Sequence, residues 1–342
     1  DNLHVAYTTY NSNYETLVYM HHDGTGWSNE VVSASANFGP IGIAVDSNNH
    51  PHISYAASGQ HCGDGLRLAS YDGSSWNYQS IDAGSNRGCE SDIVIDENDH
   101  IYISYQVRDQ SKLKLATDKS GSWNLYAVDS GATTSSLYPG YMTSMIMDQQ
   151  GKLHIAHFDD KEDDLRYSTG VPNGQWTTTI VDSGGPTGRD PSIALDAADI
   201  PHIVYHSWGA SKLKYATIDS TTSNWVVSTL VNNGDVGNSD SLTIDQNGMM
   251  HVIFNDAAND VMNYMTKSTG LTQTAEITVQ FGQYGFVTGT VVDDTTITVM
   301  TPLSGLVPAT VNITLWDKDD NSHVLSSTFQ FISEDDLDSD GV

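Results

Sequence analysis

The sequence predicts an all-β chain: a six-bladed β-propeller over residues 1–269, followed by a smaller β module. Two recurring columns and one absence carry that prediction. Alternating apolar runs such as "IGIAVD" and "SIALDA" end in an aspartate, and Asp46, Asp96, Asp148, Asp196 and Asp245 stand 50, 52, 48 and 49 residues apart. About six residues further on, His52, Tyr102, His154, His202 and His251 each open a period-2 strand such as "HISY" or "HIVY", and His4 opens a sixth. No segment sustains a 3.6-residue apolar period with caps, so helix is nearly absent.

Within one unit the first strand is the apolar run ending in the aspartate, and the second begins at the histidine column. The third is "LVYM", "LRLA", "LKLA", "LRYS", "LKYA" or "MNYM", and the fourth opens on Trp27, Trp76, Trp123, Trp176 or Trp225 before a β-prone run. Four short strands in about 50 residues is the period of a propeller blade, and six copies of the middle strands give six blades. Radial stacking buries both faces of each small sheet and leaves the charge to the loops. A histidine repeated at one register in five of six units is a blade-building residue. One active site needs one special copy, whereas a structural site needs every copy.

Together these columns resemble a widespread group of secreted bacterial and archaeal repeat proteins, over residues 3 to about 266, and the resemblance speaks to fold rather than function. The turns "SYDGSSW" at 70–76 and "ATDKSGSW" at 116–123 resemble the Asp-box of sialidase-type propellers, a folding motif between the third and fourth strands. Asp72 and Asp118 are expected to accept backbone N–H bonds in those tight turns. From about Leu271 the pattern changes. Phe281-Gly282, Val291 to Pro302, Val311 to Leu315 and Phe329 to Phe331 resemble the IPT/TIG immunoglobulin-like family, which implies a C-terminal Ig-like β-sandwich over residues 270–333, its opening strands not visible. In the acidic tail, 334–342, Asp336, Asp338 and Asp340 before Gly341 match the opening of a calcium loop, so calcium is the one cofactor suggested. A solvated acidic linker would look the same.

The first unit shows strands two to four only, and the sixth breaks off after "MNYM" without its tryptophan. A strand borrowed from the far end of the chain, residues upstream of Asp1, or a neighbouring copy would complete these sheets. Unpaired N–H and C=O groups cost about 1–3 kcal/mol each when buried. Because Asp1 falls inside a repeat, the natural chain is expected to start further upstream, and the lack of a signal peptide carries little weight.

Fourteen basic residues against 43 acidic ones give a formal charge of -29, which repels phosphate backbones and anionic lipid and argues against nucleic acid as a partner. No apolar run approaches the roughly 18 residues of a membrane-spanning helix. Cys62 and Cys89 lie in Gly-rich polar segments, unlike most unpaired structural cysteines. A disulfide between them is expected, and with it an extracellular or cell-surface setting.

Loops joining strands two and three share a face with loops joining strand four to the next blade. That face collects Tyr10, Tyr14, Phe38, Tyr138, Tyr141 and Trp208, with Arg87, Arg108 and Arg189. Aromatic platforms beside polar loops suit sugar rings or a protein partner. The run "DDKEDD" at 159–164 lies there too, and solvation is preferred over chelation for it. Arg67 and Arg166 share the strand-three register of Lys114 and Lys214 and are structural, as are the two Ser-x-x-Lys matches, Ser111/Lys114 and Ser211/Lys214. HExxH, P-loop and G-x-S-x-G motifs are absent, and no catalytic residue is assigned. The expected function is non-catalytic: a binding or structural protein in adhesion or assembly, with a filament subunit completed by strand donation as its special case. A glycan-active enzyme of the Asp-box propeller kind is the alternative, since the separation of paired carboxylates is not readable from sequence.

Overall fold

Six antiparallel sheets succeed one another along the chain, each built from sequential neighbours without a crossover. The first holds β1 (Leu3–Asn11), β2 (Tyr14–His22) and β3 (Trp27–Ala36), and the second β4 (Gly42–Val45), β5 (Pro51–Ala56), β6 (Gly65–Tyr71) and β7 (Trp76–Ala83). The third holds β8 (Arg87–Ile95), β9 (Ile101–Val107), β10 (Lys112–Thr117) and β11 (Asn124–Asp129). In the fourth are β12 (Tyr141–Met147), β13 (Leu153–Asp159), β14 (Asp164–Gly170) and β15 (Thr177–Asp182). The fifth comprises β16 (Arg189–Leu195), β17 (Pro201–Ser207), β18 (Lys212–Ile218) and β19 (Trp225–Val231), and the sixth β20 (Val236–Ile244), β21 (Met249–Asp256) and β22 (Val261–Ser268). This is the six-bladed β-propeller that the sequence period predicts.

This computed structural model describes residues 2–11, 14–36, 41–57, 64–110, 112–130 and 141–269, together with strand backbones beyond them. The chain divides into two compact units, residues 1–243 with 251–266, and residues 244–250 with 267–342. In the second, β23 (Glu276–Phe281), β24 (Phe286–Asp293), β25 (Thr296–Val299), β27 (Ile313–Trp316) and β28 (Ser322–Val324) form one sheet, and β26 (Thr310–Val311) pairs with β29 (Phe329–Gln330). Phe38, Cys62, Tyr138, Asp336, Asp338 and Asp340 lie outside the described residues, as do the side chains of Tyr10, Tyr14, Cys89 and Tyr141. One 3-10 turn, Arg108–Gln110, is the only helix among the described residues, and no helix there is long and apolar enough to cross a membrane.

Burial falls from the second strand outward. β9, β13 and β17 are buried along their whole length, because the neighbouring blades cover both faces, whereas the outermost β7 is mostly exposed. The repeated aspartate is a turn builder. Its Oδ1 accepts the N–H groups two and four residues on, at 2.8–3.0 Å, in all five copies from Asp46 to Asp245. Between those donors sits a left-handed residue, Asn49, Asp99, Gly151, Asp199 or Gly248, the conformation that Asn, Asp and Gly tolerate best.

The other carboxylate oxygen of the same aspartate reaches the histidine column: His154 Nε2 to Asp148 at 3.1 Å, His202 Nε2 to Asp196 at 3.0 Å, and Tyr102 Oη to Asp96 at 2.9 Å. Each ring's Nδ1 then accepts from a strand-three tyrosine, Tyr167 on His154 and Tyr215 on His202, at 2.5 and 2.6 Å. The recurring histidine is therefore structural, as its repetition implies.

Neighbouring blades are locked in register. Trp76 packs edge-on against Tyr19 of the preceding blade and Trp225 against Tyr167, while Trp123 and Trp176 cover the clusters around Leu68 and Leu115. Cation–carboxylate pairs repeat across the same junctions. Lys114 reaches Asp82 at 3.4 Å, Arg166 reaches Asp129 at 3.0 Å, and Lys214 pairs with Asp182. On the innermost strands Asp92, Ser144 and Ser192 accept the N–H groups of Met145, Ile193 and Leu242 in the next blade. At the equivalent place in the second blade stands Gly42, where a Cβ would lie 2.8 Å from the Ile93 nitrogen.

Two expectations need correcting. Asp72 does accept the turn amides of Ser74 and Ser75, but Asp118 accepts instead from Ile101 N at 2.8 Å across its own sheet. The Asx turns in the first and fifth blades are Asp23 and Asp219, whose carboxyls are held down to about 2 by Thr25 and Thr221 respectively, with Gly26 N and Thr222 N adding to this. Nor is "DDKEDD" uniformly solvated. Asp159 is fully buried beside Arg166 Nε at 3.1 Å, and Asp164 is buried in β14, so only the middle of the run meets water.

Candidate ligand-binding face

The ladder slips at the start of three innermost strands, between Cys89 and Asp92, between Tyr141 and Ser144, and between Arg189 and Ser192. At each slip a non-glycine residue is left-handed: Glu90 (φ 50), Met142 (φ 49) and Asp190 (φ 47). All three occupy one register, six positions before the aspartate of their unit. A bulge of this kind re-aims the side chains around it, and the left-handed backbone costs about 1–2 kcal/mol.

Beside the last of these bulges, the Arg189 guanidinium lies 4.4 Å from the ring centroid of Trp208, on the β17–β18 loop. It also lies 5.6 Å from the ring of Phe158, at the end of β13 in the preceding blade. Its Nε is buried without a hydrogen-bond partner. Asp160, on the β13–β14 loop, has its carboxyl pKa raised by burial, and the charges of Arg189 and then Arg108 pull the other way. Side chains from three blades thus gather on the loop face: one arginine clamped to an indole, a second arginine, and a carboxylate within electrostatic reach of both. An indole face takes the apolar face of a ligand, and guanidinium and carboxylate groups fix its polar edge.

Toward the axis the chemistry changes. Burial, and then the charge of Asp190, push the Glu90 carboxyl up to about 8, and the same two causes raise that of Asp240 well above the usual range. These residues come from the third, fifth and sixth blades, so they meet where the innermost strands converge. Glu90 Oε2 and both Asp240 carboxylate oxygens are buried with no hydrogen-bond partner. The Asp92 carboxyl is pushed up to about 6 by its desolvation, against the amides of Met145 and Ile93. Among the described residues no group of three or more His, Cys, Asp and Glu side chains is placed to hold a metal ion.

Of the sequence-predicted site residues, Arg189 and Trp208 are brought into contact and Arg108 into reach of the same carboxylate. Arg87 is not part of the group. Its Nη1 binds Asp82 at 2.6 Å and the Ala83 carbonyl at 3.2 Å, which makes it a strut between the second blade and the third. Asp160 belongs to the acidic run 159–164 that the sequence placed on this face, whereas Phe158, Glu90, Asp190 and Asp240 carry no sequence signal, because none belongs to a repeated column of like residues. A cavity of about 410 Å³ lined by His4, His21, Glu30 and Asn49 lies at the opposite end of the strands, and its His4 is engaged by Tyr19 at 2.6 Å.

No protein-family profile and no curated protein matches the chain. Solved structures do. The Aleuria aurantia lectin in complex with Fucα1-6GlcNAc aligns at 14% identity and a TM-score of 0.54, over 79% of this chain and 89% of that one. A polysaccharide lyase, an ulvan lyase, aligns at 12% identity and 0.56 over 94% and 88%. The leech intramolecular trans-sialidase complexed with 2,7-anhydro-Neu5Ac aligns at 10% and 0.50 over 76% and 64%. These likenesses establish the propeller fold.

Proposed function

We propose that this propeller binds carbohydrate on its loop face, with Trp208 as the platform for a sugar ring and Arg189, Arg108 and Asp160 as the groups that read its hydroxyls. The carrying observation is the stack itself. A guanidinium held 4.4 Å over an indole that is still 37% exposed fixes the ring in place without hiding it. A protein that binds glycans this way is suited to display outside the cell, and the antiparallel sheets of the second unit fit an Ig-like spacer in that role. A lectin, a lyase and a trans-sialidase among the structural neighbours support glycan recognition as the common use of this architecture.

Titration calorimetry against a panel of fucosylated, sialylated and uronic-acid oligosaccharides tests the reading. One class is expected to bind, and Trp208→Ala and Arg189→Ala each to weaken it at least about tenfold, or about 1.4 kcal/mol, with melting temperatures little changed. Full affinity in the double variant would refute the site. No turnover is expected. Sustained cleavage that disappears in Glu90→Gln would instead favour an enzyme whose proton donor is the carboxyl held near 8.

A further inference from the structure

Buried polar atoms without a protein partner are few in a folded chain, and here several gather where the inner strands meet the loop face. Glu90 Oε2, Gln106 Oε1, His206 Nε2 and both carboxylate oxygens of Asp240 are buried with no hydrogen-bond partner, and Glu90, Gln106 and His206 are 9%, 1% and 8% exposed. The repeat relates their positions. His206 lies opposite Arg189 in the fifth blade as Gln106 lies opposite Cys89 in the third, so Glu90 and Asp190 hold one register, and Asp240 stands one place beyond it in the sixth. Asp190 is within electrostatic reach of Glu90, Asp240 and His206, which draws these groups from three blades into one cup.

The chemistry of the cup is one-sided. Carboxylate and amide oxygens accept, and so does His206 Nε2 in the tautomer with its proton on Nδ1; burial lowers the His206 pKa, which keeps the ring neutral. The cup lacks a donor, and the three carboxyls in and beside it favour one that is positively charged. Burial and the Asp190 charge disfavour the ionised forms of Glu90 and Asp240, a crowding that an entering cation relieves. Among the described residues these side chains are not placed to hold a metal ion, so the complement is a larger cation with several N–H groups, a primary ammonium. The cup also adjoins the sugar platform. Asp190 follows Arg189 in the chain and Trp208 stands two residues after His206, so a ring lying on Trp208 has these acceptors at its axial edge.

We propose that the glycan bound on the loop face carries a free, protonated amine, which enters the axial cup and donates to Glu90, Asp240 and His206. The inference rests on the sugar-binding reading of this face and names the group that its ligand presents. N-acetylation removes the charge and most of the donors.

The test is calorimetry on the full chain with two forms of one oligosaccharide in which hexosamine alternates with a uronic acid, N-acetylated and de-N-acetylated. The uronate brings the free-amine form near zero net charge, because a chain of formal charge -29 attracts any oligocation. The free-amine form is expected to bind at least about tenfold tighter. Glu90→Gln and Asp240→Asn each remove an ionisable carboxyl with little change of shape, and each should bring the two forms to within about threefold, whereas Trp208→Ala should weaken both forms alike. Equal affinities, with Trp208→Ala weakening both, would overturn the inference and leave the platform standing. Binding of neither form would overturn it too, and the other glycans would then judge the platform. A preference that survives both axial variants would trace to the overall charge of the chain and would also overturn it. A preference lost in the axial variants but unmoved by Trp208→Ala would uphold the cup and remove the platform.

Discussion

Two sets of buried polar groups lie in the same blades and behave oppositely. At the rim, each Asp–His–Tyr relay is saturated. Asp196 receives two backbone amides and an imidazole N–H, and that imidazole in turn receives the Tyr215 hydroxyl. Burial opposes the charge on Asp196, but the bonds from His202, Ile200 N and Ala198 N outweigh it and hold the carboxyl below its ordinary range. At the axis, Glu90 and Asp240 have buried oxygens with no donor and carboxyls raised above the ordinary range. Polar groups that serve the fold recur from unit to unit, with partners supplied by that unit or by its neighbour. Glu90 and Asp240 occur once each and come from different blades, and both are raised by burial and then by the charge of Asp190.

The sharpest way to break the comparison is to remove the cation from a buried ion-paired group of the blades. Arg166 joins Asp159 of its own blade to Asp129 of the preceding one, and all three are buried. Arg166→Met leaves both carboxylates without their cation, and a loss of about 3–5 kcal/mol is expected in urea denaturation. If it costs under about 1 kcal/mol, the junction ion pairs do not bind the blades. Asp196→Ala is next, at about 2–4 kcal/mol, because it orphans two amides and an imidazole in a site with almost no water. Asp46→Ala should cost less, since the same constellation there is more open and its imidazole contact is 3.4 Å long. Equal losses in the two blades would show that burial does not set the strength of the relay.

This contrast also explains what could be read from the sequence. Columns were legible because a blade is a repeated solution to one packing problem, so aspartate, histidine and tryptophan return wherever the same turn or junction returns. Even the partner of Arg87 was readable in principle. Asp82, Asp129 and Asp182 all close a fourth strand, and each binds a cation from the following blade. The axial group was not legible. Its register holds Glu90, Met142 and Asp190 in successive blades, residues with no common chemistry, and their convergence depends on bulges that no local pattern announces. Trp208 was found by its type and loop position, but its stacking on Arg189 required two loops of one blade to be brought together by the fold.

The smallest expected effect sharpens the comparison through pH. Glu90 has its folded-state pKa raised to about 8, so the folded chain holds a proton that the unfolded chain releases near 4.5, and the associated stability is complete below that value and lost as pH rises through 8. Asp92, raised to about 6, acts in the same sense over a narrower span. His157 works the other way. Fully buried and lowered to about 4 by desolvation, it contributes stability above its ordinary 6.5 that is lost as pH falls toward 4. Between about 4.5 and 6.5 the two effects oppose each other, and above 6.5 the raised axial carboxyls of Glu90 and Asp240 dominate. Wild-type stability should therefore decline by about 2 kcal/mol from pH 6.5 to 8, at up to about 1.4 kcal/mol per pH unit for one group. Glu90→Gln should remove its share of that decline, leaving the part due to Asp240, and uncover the acid-side loss that His157 causes. Parallel pH profiles for the variant and the wild type would mean that the axial carboxyl shares a partner, and the division between a saturated rim and an unsatisfied axis would fail.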